Sequence, residues 1–186
     1  IIEPFAGGGT LLNLIERNQN FDESFLLSIL RILLNVINYM QTQNITHNDI
    51  KAENIVFLVN NIDELFFSNE KLEESLRLID FGSASYRDQI KKIFRTTLPP
   101  PEYKNLSYGS ITFDIWSLGE MIYHIVINGY QLDCIGKNIY EQEDFLEEDE
   151  WLKYPLLKEI ITDMLTFDFL HRPTAYDLLK KYFGVK

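Results

Sequence analysis

A helix that is apolar on nearly every side has to be enclosed by the rest of its chain, and residues 111–127 spell such a helix. Ile115, Trp116, Leu118, Met121, Ile122, Tyr123, Ile125, Val126 and Ile127 leave no polar stripe for solvent. A buried central helix is therefore expected at about 112–127, closed by Asn128-Gly129. Its neighbours are legible too. Asp22 and Glu23 open a helix with acids at the positive end of its dipole, and Leu26, Ile29, Leu30, Leu33, Ile37 and Met40 then recur at helical spacing. Residues 1–3 read as the end of a strand and 4–9 as a turn, after which Thr10 is placed to cap a helix from Leu11-Leu12. Residues 156–165 are amphipathic, and Thr174 with Asp177 three residues on resembles a capping box for Ala175–Phe183. The class that follows is mainly α, α+β overall, with one domain over residues 1–186. Asp114 is the odd residue of the central helix. A carboxylate is costly to bury unless it accepts hydrogen bonds, so backbone donors from another segment are expected at it.

The second constraint is chemical. Residues 47–54 read H-N-D-I-K-A-E-N, between the apolar pair Ile45-Thr46 and the apolar run 55–58. Strand, polar loop, strand is the reading, and a loop held at both ends can aim Asp49, Lys51 and Asn54 at one point. An acceptor for a hydroxyl proton, a cation for phosphate oxygens and an oxygen ligand for Mg²⁺ are the parts phosphoryl transfer uses. Residues 55–59 form one short strand and 76–79 its partner, which runs straight into Asp80-Phe81-Gly82, 31 residues beyond Asp49 (80 − 49). Asp80 then offers a second hard oxygen beside Asn54 for Mg²⁺. Gly82 is expected to supply the unusual backbone with which the chain turns away. Residues 60–75 read as a polar, acidic surface insertion. Residues 83–99 read as a mobile loop with Arg87, Lys91, Lys92 and Arg95 beside Thr96 and Thr97, and Pro101-Glu102-Tyr103 as the start of a short helix.

The remaining composition narrows the partners. A net charge of −11 and a pI of about 4.7 argue against nucleic acid or an anionic membrane as the main partner. No apolar run approaches the ~18 residues of a membrane span, because 25–37 is interrupted by Ser28, Arg31 and Asn35. The single cysteine, Cys134, excludes an internal disulfide framework and fits a reducing intracellular setting, cytoplasm or nucleus. Residues 141–150 hold seven acids in ten and read as a solvated face. The glycines at 7–9 lack both G-x-G-x-x-G spacing and a G-K-[ST] ending, so they read as a connector. His124 and His171 have no second ligand at metal spacing.

Taken in order, H-N-D-I-K-A-E-N, D-F-G, P-P-E, D-I-W-S-L-G and Arg172-Pro173-Thr174 span 125 residues (172 − 47) and resemble the C-terminal lobe and hinge of the eukaryotic protein-kinase family. The resemblance runs from Ile2-Glu3 to the last helix and implies a large helical lobe with two short strand pairs around the catalytic loop and D-F-G. It implies ATP and Mg²⁺ as cofactors and a protein substrate. Lysine at position 51, two after Asp49, is similar to Ser/Thr rather than tyrosine kinases. By the resemblance, Asp49 orients the substrate hydroxyl and takes its proton, Lys51 steadies the γ-phosphate, and Asn54 and Asp80 hold Mg²⁺. Val56 falls beneath adenine, Glu3 and Phe5 where hinge backbone groups bond it. His47 and Phe81 match a stacked pair, Asp114 an anchor for the loop's backbone, and Glu102 and Arg172 a buried ion pair.

Departures carry expectations of their own. The family's H-R-D arginine is Asn48, which has no charge to pair with an activation-loop phosphate, so activity is expected not to depend on one at Thr96 or Thr97. Thr10 and His124 stand where several arginine-directed kinases carry acids, so no strong arginine preference is expected. The glycine-rich loop, the strand lysine and its helix glutamate would fall before Ile1, and these 186 residues alone are expected to be inactive. Two other classes share parts of the pattern. A pseudokinase scaffold has no need of Asp49, Lys51, Asn54 and Asp80 together, and a small-molecule kinase of the aminoglycoside or choline type lacks Pro101-Glu102, the 114–119 motif and the Arg172 partner.

Overall fold

The computed structural model describes residues 6–17, 21–60, 69–86, 100–104, 110–128 and 149–185. Its longest helix, α2 (Glu23–Thr42, after α1 at Leu11–Arg17), begins where Asp22 accepts the Phe25 N–H at 2.7 Å. The apolar stripe Leu26, Ile29, Leu30, Leu33 and Ile37 faces wholly inward. By length and composition α2 would pass as a membrane span, yet its apolar stripe is buried within this fold. Core helices of globular proteins share that composition.

The central helix is α4 (Phe113–Asn128), preceded by α3 (Asn69–Ser75) and followed by α5 (Pro155–Met164) and α6 (Ala175–Phe183). Residues 112–125 are buried without interruption, as an all-round apolar helix requires. Gly119 lets α5 approach. A Cβ there would lie 3.0 Å from Met164 Cβ and 3.2 Å from Leu165 Cδ2. The α6 capping box forms in full, with Thr174 Oγ1 accepting from Asp177 N–H and Asp177 Oδ2 accepting from Thr174 N–H. Two buried side chains that periodicity does not single out complete the packing. Gln41 donates to the Ile111 carbonyl at 2.7 Å and accepts the Ala175 N–H at 3.1 Å, tying α2 to the starts of α4 and α6. Trp151, in a short 3₁₀ turn (Asp149–Lys153), packs on Tyr123.

Among the described residues, four short strands form two antiparallel pairs. β1 (Ile45–Thr46) pairs with β4 (Ser85–Tyr86), Thr46 opposite Ser85, and β2 (Ile55–Phe57) with β3 (Leu76–Leu78), Val56 opposite Arg77. The glycine connector runs along β2, Gly8 N–H donating to the Phe57 carbonyl and Phe57 N–H to that of Gly9. A Cβ at Gly8 would sit 2.9 Å from the Phe57 oxygen, so only glycine permits this approach.

Two segments differ from the sequence reading. The acidic insertion ends in α3, a two-turn helix docked by the fully buried Leu72 and the Arg31–Glu73 ion pair at 2.9 Å. One apolar residue in an acidic stretch is too short a signal for periodicity to register. The segment read as a loop from 83 instead holds β4 at Ser85–Tyr86, which completes the β1 pairing. Residues 1–5, 87–99 and 129–148 lie outside the described residues, and with them Glu3, Phe5, Thr96, Thr97, Cys134 and most of the acidic run.

Candidate active site

The loop 46–49 is anchored from below by a buried carboxylate. Asp114, in the first turn of α4, accepts the His47 N–H on Oδ2 at 2.7 Å and the Asn48 N–H on Oδ1 at 2.9 Å. Burial pushes this carboxyl above its ordinary range, and the two backbone donors pull against that. His47 is itself fully buried. Its Nε2 lies 3.0 Å from the Ile79 carbonyl, which can only accept, so Nε2 carries the proton and Nδ1 accepts from the Asp49 N–H. The His47 and Phe81 rings meet at 4.8 Å and 65°, edge to face rather than stacked, with Phe81 half exposed.

Asp49, Lys51 and Asn54 converge. Lys51 Nζ and Asn54 Nδ2 reach Asp49 Oδ2 at 2.9 and 3.1 Å, and Asn54 Nδ2 also bonds the Asp49 carbonyl at 2.8 Å. The 3₁₀ turn Ala52–Asn54 brings the asparagine back over the aspartate. Asp49 Oδ1 is buried and has no hydrogen-bond partner. A lone carboxylate oxygen kept from water and unpaired is expensive, and such groups concentrate where a ligand completes them.

The Asp-Phe-Gly turn is joined to this loop at the backbone, Ile79 N–H donating to the Asn54 carbonyl at 2.9 Å. The reversal is made at Asp80, not at Gly82 as the sequence reading had it. Asp80 has φ 62, while the positive-φ glycines described are Gly9 and Gly184. A short acceptor side chain tolerates that conformation by bonding locally, here Oδ1 to the Gly82 N–H at 3.2 Å. Gly82 supplies room instead, since a Cβ would lie 3.0 Å from that same oxygen.

The donor set suits Mg²⁺. With its amide nitrogen committed to Asp49, Asn54 keeps its oxygen as an acceptor, and Asp80 presents an exposed carboxylate at the end of the neighbouring strand. Magnesium is commonly held by one or two protein oxygens and completed by water and phosphates. No cluster of three His, Cys, Asp or Glu occurs among the described residues. Val56 is buried in β2. Glu102 and Arg172 lie apart from this site and form a bidentate pair, Nη1–Oε1 2.7 Å and Nη2–Oε2 3.0 Å. Thr10 commits its hydroxyl to Asn13 at the start of α1, and His124 is buried with neither ring nitrogen bonded.

Sequence reasoning missed the part played by Asn48, noted there only for its lost charge. Its Nδ2 donates to the Ser83 carbonyl and Ser85 Oγ, both at 2.9 Å, with the Thr46 carbonyl at 3.3 Å. An asparagine next to the Asp49 carboxylate, with serines just beyond D-F-G, was the available signal.

A mainly helical lobe, with paired strands that join an Asp–Lys–Asn loop to an Asp-Phe-Gly turn, defines the class of kinase large lobes. The family model described as protein kinase domain matches residues 1–183, and the chain belongs to that family. It is 29% identical over 193 residues to calcium-dependent protein kinase 6 of Plasmodium berghei (strain Anka), covering 96% of this chain and 12% of that protein. It is 27% identical to the calcium and calcium/calmodulin-dependent serine/threonine-protein kinase of Lilium longiflorum, with 97% and 35% covered. For the calcium/calmodulin-dependent serine/threonine-protein kinase of Malus domestica the identity is also 27%, with 96% and 43% covered. The chain thus spans less than half the length of each of these curated relatives.

Proposed function

We propose that this chain carries the transfer machinery of a Ser/Thr protein kinase that uses ATP and Mg²⁺ to phosphorylate a protein hydroxyl. The observation that carries the reading is the state of Asp49. One oxygen is held by Lys51 and Asn54, and the other is buried and free. A hydroxyl entering against Oδ1 would find an acceptor already oriented, with the backbone fixed by Asp114 and His47. Lys51 would steady the transferring phosphate as its negative charge shifts. Asn54 and Asp80 would hold Mg²⁺, which supplies neutralisation of phosphate charge when bound. The relatives support the Ser/Thr acceptor, since those of Lilium longiflorum and Malus domestica are named serine/threonine-protein kinases.

The test is transfer from ATP to protein acceptors by the full-length protein. Asp49→Asn, which keeps the shape and removes the base, is expected to lower kcat by roughly 10³-fold, inside the range for a general base, with the melting temperature unmoved. Retained activity would overturn the assignment. We further infer that activity does not require a phosphate at Thr96 or Thr97. Loss of activity on phosphatase treatment, restored through either threonine, would contradict this. The isolated 186 residues, with no stretch matching the glycine-rich loop or strand lysine, are expected not to transfer phosphate.

A further inference from the structure

The catalytic loop and the segment after Asp80-Phe81-Gly82 are tied together by one side chain that carries no charge. Asn48 sits between His47 and Asp49 with φ 67, a left-handed conformation asparagine adopts more readily than most residues. Its amide has two hydrogens and three acceptors within reach, the Ser83 carbonyl and Ser85 Oγ at 2.9 Å and the Thr46 carbonyl at 3.3 Å. The side chain cannot be turned about. Rotating the amide would put its oxygen against two carbonyl oxygens, so the nitrogen must face them. That choice strands Oδ1, which is buried without a partner, at a cost the donor bonds offset. Ser85, the far end of the tie, is also buried, and lies opposite Thr46 in the β1–β4 pair.

The tie has neighbours on the near side of the turn. His47 reaches Ile79 and Phe81, which precede the turn's end, and Asn54 takes the Ile79 N–H. The Asn48 side chain reaches past the turn, to 83 and 85, beside the backbone pairing of β1 with β4. Together these bonds hold the chain on both sides of Asp80, so the spacing between the Asp49 and Asp80 carboxylates is set by backbone fixed at each end. A cationic side chain at position 48 would need an anionic partner to hold such a position, whereas the amide needs only carbonyl and hydroxyl acceptors already in the chain.

We propose that Asn48 is a positioning residue for phosphoryl transfer, an uncharged bracket that fixes the post-D-F-G strand to the catalytic loop. This rests on the kinase reading above. The bracket acts through Asp49 and Asp80 and touches neither substrate nor phosphate. Its loss therefore lowers turnover and leaves binding of either substrate nearly intact.

The experiment uses the full-length protein and three variants. Asn48→Asp keeps the shape and tolerates the left-handed backbone but sets carboxylate oxygens against the Ser83 and Thr46 carbonyls. Asn48→Gly keeps the backbone and deletes the bracket. Ser85→Ala removes one acceptor. Two neutral hydrogen bonds lost should lower kcat about ten-fold or more, and the single bond at Ser85 about three-fold. The KM values for ATP and acceptor are expected to hold within about two-fold. Adding Ser85→Ala to Asn48→Gly should cost nothing more, because the shared bond is already gone. Hydrogen exchange at the Ser85 and Tyr86 amides should speed up in both Asn48 variants.

Wild-type kcat in Asn48→Asp and Asn48→Gly would overturn the proposal. So would full additivity of Asn48→Gly with Ser85→Ala, or a loss carried wholly in KM. If the Asn48 variants fail to fold, Ser85→Ala decides, a roughly three-fold fall in kcat supporting the bracket and wild-type turnover sinking it. Absence of transfer by the wild type, in contrast, would sink the kinase reading itself.

Discussion

At residue 172 a guanidinium and a carboxylate close on each other, while at residue 49 a carboxylate is held open. Arg172 commits its donors to both Glu102 oxygens and to the carbonyls of Thr112, Thr166 and Phe167, and its guanidinium lies 4.8 Å above the Trp116 ring. Asp49 and Asn48 each keep a buried oxygen with no partner. Both regions are desolvated, and both are organised around residues at or just before the start of α4. A polar cluster satisfied in full holds elements together, whereas one left with unpaired acceptors has capacity for something else to bind. Substitution at the two places should therefore fail in different ways, stability at one and turnover at the other.

The largest stability effect is expected at the closed cluster. Arg172→Ala leaves Glu102 buried and alone, and should cost about 3–5 kcal/mol of unfolding free energy. Denaturant titration of the full-length protein measures it. Replacing both partners with apolar residues, Glu102→Leu with Arg172→Met, should cost less than the single change, because no charge is stranded. A loss below about 1 kcal/mol for Arg172→Ala, the range of an exposed pair, would remove the contrast with Asp49. Turnover per folded molecule should stay near the wild-type value in any Arg172 variant that remains folded.

Asp114 lies between the two kinds of cluster, satisfied itself yet holding the open loop. Asp114→Asn retains one acceptor and turns an NH₂ toward the second backbone N–H. The expected cost is about 2 kcal/mol, the scale of a hydrogen bond to a charged group, together with a fall in kcat as the 47–48 backbone loosens. Seeing stability fall while kcat held would place Asp114 with the architecture alone.

What could be read from the sequence follows the same divide. Helices α2, α4, α5 and α6 were legible because apolar spacing and caps at Asp22 and Thr174 are local signals. Convergence of Asp49, Lys51 and Asn54 was legible because eight residues of loop bring them together. Helix α3 was missed since Leu72 is its one apolar residue, and β4 since two residues carry no period. Asp80's left-handed backbone was assigned to Gly82 because glycine is the usual bearer of that conformation. Gln41, Trp151 and the reach of Asn48 to Ser83 and Ser85 depend on partners distant in sequence, 35 residues away for Ser83 and 134 for the Gln41–Ala175 bond, and no local pattern announces them.

A last expectation tests whether the closed side is silent to pH. Glu120, buried one turn after Trp116, accepts that indole N–H at 3.1 Å, yet burial pushes its carboxyl from 4.5 up to about 8. The folded chain thus keeps a proton there that the unfolded chain has already released. Stability should fall as pH rises from about 4.5 to about 8 and level off above, with a slope no steeper than about 1.4 kcal/mol per pH unit. Glu120→Gln keeps an acceptor for Trp116 and should remove the Glu120 share of that fall. His124, on the next turn, is shifted the other way, burial holding it below its ordinary 6.5. Its contribution is present above 6.5 and lost as acid protonates the unfolded chain. In the Glu120→Gln variant the rise from His124 toward neutral pH is therefore set only against the fall from Asp114, whose carboxyl burial also raises. Melting temperatures of the full-length protein and of Glu120→Gln across this range would decide it, and parallel profiles would mean that Glu120 is ionised in the folded chain.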